Sequence, residues 1–177
     1  MSAHAALIDL AQKWLWKQGC SIVVTDMTHG GRETPDAIGF YGAGSSILVE
    51  CKASRADFRT DAKKPFRRDP QRGMGKLRYY LAPKGVICED DLPEKWGLIE
   101  AHDGKLRVAI KAQPQHHYEG AREELQLLIS CIRRIGPLEP PGVNVKFYTT
   151  GYYDAATTKP KQRATLGVAL TQVEFAL

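Results

Sequence analysis

The chain has 177 residues, of which 43% are hydrophobic and 25% charged, and its formal net charge is +5. Such a chain can bury one domain's core without disulfide or metal staples, and its charge leans mildly towards a polyanionic partner. The four cysteines (Cys20, Cys51, Cys88 and Cys131) are scattered with no CxxC pair, which speaks against a disulfide framework and against a zinc or iron–sulfur site. No apolar run has the length of a membrane span, and Asp9, Gln12, Lys13 and Lys17 interrupt any signal-peptide core. A cytoplasmic protein without a membrane partner is therefore expected.

Residues 3–18 predict an amphipathic helix, with Leu7, Leu10, Ala11, Trp14 and Leu15 at helical spacing and Gly19 as its stop. A strand is expected over 20–25, a polar loop over 28–34 and a second strand over 35–41. Residues 46–52 form the best strand in the chain, apolar enough to be central. Ser54 and Asp57 have the spacing of a capping box, so a helix should start there, and Pro65 should end it. Strands follow at 77–81, 96–101 and 106–110. A second amphipathic helix is expected over 119–134, with Leu125, Leu128, Ile129 and Ile132 as its apolar stripe. Beyond the connector at 137–142, strands are expected at 143–149 and 163–175, separated by a polar loop. This order predicts an α/β domain with a central mixed β-sheet flanked by helices. Residues 1–112 would be the core, and 113–177 a helix-plus-β extension packed on it.

The chemistry concentrates on the central strand. Positions two apart on a strand share a face, so Glu50 and Lys52 stand side by side while Cys51 points the other way. Charges at the end of an apolar strand are costly unless something pairs or uses them. Asp36 opens the preceding strand and can approach Glu50 if the two strands pair. Two carboxylates offer hard oxygen ligands suited to Mg²⁺, and the backbone carbonyl of Cys51 could complete the coordination. Lys52 would orient or deprotonate a water, or stabilise charge on a phosphodiester.

Pro35-Asp36 followed by Glu50-Cys51-Lys52 matches the PD-(D/E)XK signature of restriction-endonuclease-like enzymes. The stretch Val49-Glu-Cys-Lys-Ala-Ser-Arg-Ala-Asp-Phe-Arg-Thr-Asp-Ala-Lys63 resembles that of MmcB-type DNA repair proteins, as do the blocks at 78–87 and 96–101. The resemblance covers roughly residues 20–101. It implies a restriction-endonuclease-like core, Asp36, Glu50 and Lys52 as the catalytic set, and Mg²⁺ or Mn²⁺ as cofactor. Many members carry an acid on the first helix; here that position falls to Asp9. The region after 101 finds little support in the family and could mark a phage-like subgroup.

The resembling group also places Arg55, Arg59 and Asp61 near the site. A basic run follows, comprising Lys63, Lys64, Arg67, Arg68, Arg72, Lys76 and Arg78, with Phe66, Tyr79 and Tyr80 interleaved. Cations with aromatics suit a phosphate backbone and splayed bases. The loop at 151–162, with Tyr152, Tyr153, Lys159 and Lys161, is a weaker second surface. His29 precedes the Asp36 strand by a short loop, and the pair His116-His117 lacks an acidic partner at a recognised spacing. The expectation is a Mg²⁺-dependent endodeoxyribonuclease acting on double- or single-stranded DNA in repair, recombination or phage DNA processing. A homodimer would suit double-strand cutting. The alternatives are a non-cleaving DNA-binding accessory protein and a protein-interaction factor.

Overall fold

The computed structural model describes residues 2–27, 33–42 and 44–135. In chain order it contains α1 (Ala3–Lys17), β1 (Ile22–Thr25), β2 (Ala37–Tyr41), β3 (Ser45–Cys51), α2 (Arg55–Asp61), α3 (Pro65–Arg68), β4 (Leu77–Pro83), β5 (Gly97–His102), β6 (Lys105–Ile110) and α4 (Tyr118–Ile135). The strands form one six-stranded sheet in sequential order. β1, β2 and β3 are antiparallel neighbours, β3, β4 and β5 run parallel, and β6 returns antiparallel to β5. The α/β architecture with a mixed sheet flanked by helices is as expected. The expected strands at 143–149 and 163–175 and the loop between them lie outside the described residues, as does His29.

Strand alternation assigns each side chain of β3 to a face. Ile47, Val49 and Cys51 pack against the buried stripe of α1, formed by Leu7, Ile8, Ala11, Trp14 and Leu15. Leu48 faces the opposite core, with Phe58, Met74, Tyr80, Trp96 and Leu127. Both faces of β3 are therefore covered, which explains why the run Ile47-Leu-Val49 is continuously apolar. Ser2 caps α1 by accepting the Ala5 N–H at 3.1 Å, which satisfies one of the helix's open donors.

The capping reading of α2 holds. Ser54 Oγ accepts the Asp57 N–H at 3.2 Å, and the Asp57 carboxylate accepts from Ala53 N–H at 3.3 Å. The expected end at Pro65 differs. α2 stops at Asp61, and Pro65 occupies the first turn of α3, where its missing N–H costs no hydrogen bond.

α4 belongs to the same compact unit as the sheet, Met1–Gly136, but its inward face is not the predicted stripe. Leu127 is fully buried, whereas Leu125, Ile129 and Ile132 are 59%, 40% and 49% exposed. A polar and a small residue seat the helix instead. The Glu124 carboxylate accepts from Ser46 Oγ at 2.8 Å and from the Gly75 N–H at 2.7 Å. Gly120 lies so close to the Gly73 carbonyl that a Cβ would overlap it. Residues 120, 124, 127 and 131 recur at helical spacing, a pattern invisible to a search for apolar periodicity alone.

Candidate active site

The site lies at the C-terminal end of β3, beside parallel β4. Asp36 immediately precedes β2, and Ala37 pairs with Val49, which brings Asp36 across from the end of β3. There its Oδ2 accepts the Cys51 N–H at 2.8 Å. Glu50 and Lys52 share the face opposite α1, as strand periodicity requires. Lys52 Nζ lies 3.0 Å from Glu50 Oε2, 3.2 Å from Asp61 Oδ1 and 3.9 Å from Asp36 Oδ2. The structure thus brings Asp36, Glu50 and Lys52 together around one ammonium.

Asp61, at the end of α2, is the centre of a second layer. Besides Lys52, its carboxylate accepts from Tyr80 OH at 2.8 Å and Arg67 Nε at 2.7 Å, and Lys64 Nζ lies at 2.7 Å. Arg67 also donates to Glu33 Oε1 at 2.6 Å, and Glu33 Oε2 accepts the Met74 N–H at 2.6 Å. The Arg67 guanidinium lies over the Phe66 and Trp96 rings, at 4.8 and 4.7 Å. Such placement adds cation–π attraction in a desolvated setting. Glu33 escaped the sequence reading because it sits in a loop with no local pattern. Its role becomes visible only through Arg67, which is remote in sequence.

The electrostatics follow from this packing. Burial, reinforced by the Glu50 charge, raises the Asp36 carboxyl to about 6, against the opposing pull of Lys52. Burial works against the Lys52 ammonium, but Glu50, Asp61 and Asp36 outweigh it and push its pKa up to about 12. Burial likewise acts to raise Asp61, yet Arg67, Lys52 and Lys64 hold it well below the usual carboxylate range. Burial raises the Cys51 thiol, which leaves it protonated and unreactive at neutral pH. With these three carboxylate neighbours Lys52 favours its charged form, which suits orienting a water or stabilising charge.

The donor set suits a hard divalent cation. Arg67 Nη2 approaches Glu50 Oε1 at 3.1 Å without hydrogen-bond geometry, so this buried oxygen has no hydrogen-bond partner. Buried acceptors are ordinarily satisfied, and a carboxylate oxygen without a hydrogen bond beside a second carboxylate offers a lone pair that a hard cation could use. Among the described residues, no group of three or more His, Cys, Asp or Glu side chains is poised around one point. Asp36 and Glu50 would be the side-chain ligands, with the Cys51 carbonyl, water or phosphate supplying the rest, as Mg²⁺ commonly accepts.

Other assigned residues fall elsewhere. Asp9 is exposed on α1 and pairs with neither Asp36 nor Glu50. The α1 residue at the site is His4, whose Nε2 lies 3.5 Å from Asp36 Oδ1. Five positions along a helix rotate a side chain well away from His4's face, so Asp9 does not join the set. Arg67, expected to contact nucleic acid, is buried among carboxylates. Arg78, in the same basic run, is also fully buried and donates to the carbonyls of Pro70, Gly73 and Gly75. Tyr79 and Tyr80 are both buried, against Trp14 and Trp96 respectively, so neither offers a face to a base. Arg55 pairs with Asp91 at 2.6 Å and Arg72 with Glu119 at 3.5 Å. Arg59, Lys63, Arg68 and Lys76 are exposed, and Lys64 is partly exposed at the mouth of the site. His117 Nε2 lies 3.5 Å from Glu124 Oε1, outside this cluster.

Among the described residues, no helix is long and apolar enough to cross a membrane. No protein-family model matches the chain, and no curated protein matches it in sequence. A solved structure of a protein of unknown function from Silicibacter pomeroyi is similar, with a TM-score of 0.59 at 20% identity, over 76% of this chain and 90% of that one. At that identity the likeness establishes a shared α/β fold.

Proposed function

We propose that the protein is a divalent-metal-dependent nuclease of the PD-(D/E)XK type that hydrolyses phosphodiester bonds in DNA. One observation carries the reading: Asp36, Glu50 and Lys52, separated in sequence, converge at the end of a central strand, with Glu50 Oε1 buried and unbonded. A divalent cation held by Asp36 and Glu50 would polarise the scissile phosphate and acidify a bound water. Lys52 would hold that water or face the charge that develops on phosphorus. Its own carboxylate partners keep it protonated, so it acts as a charge and hydrogen-bond donor. The exposed Arg59, Lys63, Arg68 and Lys76, with Lys64 at the mouth, would meet the phosphate backbone.

The test is direct. Purified protein is incubated with supercoiled plasmid and with single-stranded DNA, in Mg²⁺, Mn²⁺ or EDTA, beside the Glu50→Gln and Lys52→Met variants. Cleavage that needs metal and is lost in both folded variants is the expected result. Undiminished cleavage by both variants would sink the site assignment.

A second reading has its own support. Lys52, Lys64 and Arg67 all lie within 4 Å of Glu50 oxygens, so the site's charge is largely compensated by protein cations. That arrangement suits a DNA-binding accessory protein that does not cleave. It predicts salt-dependent DNA binding with no turnover in any metal.

A further inference from the structure

We propose that Asp61 is a positioning residue: it shares the Lys52 ammonium with Glu50, at 3.2 against 3.0 Å, and so keeps Glu50 and Asp36 able to take a cation. The proposal rests on the nuclease reading of the same site.

Donors from four residues converge on Asp61: Lys52 Nζ at 3.2 Å, Lys64 Nζ at 2.7 Å, Arg67 Nε at 2.7 Å with its Nη2 at 3.5 Å, and Tyr80 OH at 2.8 Å. An ionised carboxylate has about four acceptor sites, so Asp61 is saturated and has no lone pair left for a metal. Glu50 is the opposite case, with Oε1 buried and unbonded. The two carboxylates flank the same ammonium, at 3.0 and 3.2 Å, yet only one retains ligand capacity. Asp61 is itself held firmly. Tyr80 stacks on Trp96 at 4.4 Å and packs edge-on to Phe58 at 4.9 Å, and Arg67 is tied to Glu33. Without Asp61, the Lys52 ammonium would have Glu50 and Asp36 as its remaining carboxylate partners, whereas Arg67 would keep Glu33. Lys52 would then compete with any cation for those oxygens.

The experiment uses the full chain and Mn²⁺ alone, with affinity read by titration calorimetry for wild type, Asp61→Asn, Lys52→Met and the double variant. Circular dichroism confirms that each folds. Asp61→Asn should weaken Mn²⁺ binding about tenfold or more, which is about 1.4 kcal/mol of coupling. In the Lys52→Met background the same change should cost less than threefold, because the competing ammonium is gone. A purely structural Asp61 would lower stability and affect Mn²⁺ binding equally in both backgrounds, and that result overturns the proposal. A second readout is independent of metal. With ¹⁵N-lysine labelling, the Lys52 ammonium should give a slowly exchanging signal in wild type that broadens away in Asp61→Asn. If wild type binds no Mn²⁺, the nuclease reading fails, while the exchange measurement still decides whether Asp61 holds Lys52. An unchanged Lys52 signal in Asp61→Asn would overturn the proposal.

Discussion

The Lys52 ammonium lies 3.0 Å from Glu50 Oε2, the side chain two positions back along the chain. This contact is a direct consequence of strand periodicity. It favours the charged form of the lysine, because Glu50, Asp61 and Asp36 together outweigh the burial that would otherwise lower its pKa. In a nuclease with this site, activity should therefore show no rise between pH 7 and 10 that can be traced to deprotonation of Lys52. Lys52→Met should lower kcat by about 10²–10³-fold, the range for losing one transition-state donor. A basic limb in the kcat–pH profile that disappears in Lys52→Met would contradict this.

Asp36 gives the site a dependence on acid pH. Its carboxyl is raised to about 6 by burial and by Glu50, and the metal-ligand role proposed for it requires the deprotonated form. Mn²⁺ affinity should fall by about tenfold per pH unit below 6, as one proton competes with the ion. For the metal-free fold the sign is opposite. A group whose folded pKa exceeds its unfolded value binds more protons when folded. Asp36 alone therefore makes the fold more stable as pH falls from 6 towards 4. Asp61, held below its ordinary value, contributes stability above its unfolded pKa and loses it as pH falls further. Calorimetric titrations and thermal melts across pH 4–8 check both signs.

Arg67 should behave as an interior residue. Arg67→Ala leaves Glu33, Glu50 and Asp61 without the guanidinium they share. Breaking one side of a buried ion network costs about 3–5 kcal/mol. Denaturant unfolding should show that loss, and Arg67→Lys should not restore it, since one ammonium cannot reproduce the forked geometry.

The exposed cations should do the reverse. The triple variant Lys63→Ala, Arg68→Ala, Lys76→Ala should shift stability by no more than about 0.5 kcal/mol per site. It should flatten the dependence of log affinity on log salt by up to about 0.9 for each duplex phosphate that the variant no longer neutralises. An unchanged salt slope would remove these residues from the proposed DNA-facing surface.

Gly120→Ala tests the seating of α4. Its Cβ would meet the backbone of Gly73 and Met74, and overpacking of this kind costs about 1–3 kcal/mol. Ala is the better helix former, so a net destabilisation measured by chemical unfolding would show that the steric clash outweighs propensity.

By itself, the sequence determined the α/β class, most elements to within a few residues, and the convergence of Asp36, Glu50 and Lys52. These are local properties: period-2 and period-3.6 patterning, a capping residue, and two charges spaced to share a strand face. What the tertiary structure decided was the partners. It turned Arg67 inward, buried Tyr79, Tyr80 and Arg78, exchanged Asp9 for His4, and seated α4 on Glu124 and Gly120. Apart from Arg78, which meets carbonyls of the loop just before it, each of these depends on a residue distant in the chain. A basic run such as 63–78 reads the same whether its guanidinium ends meet solvent, a carbonyl or a buried carboxylate. Only the folded chain, by bringing Glu33 and Asp61 to Arg67, selects between them.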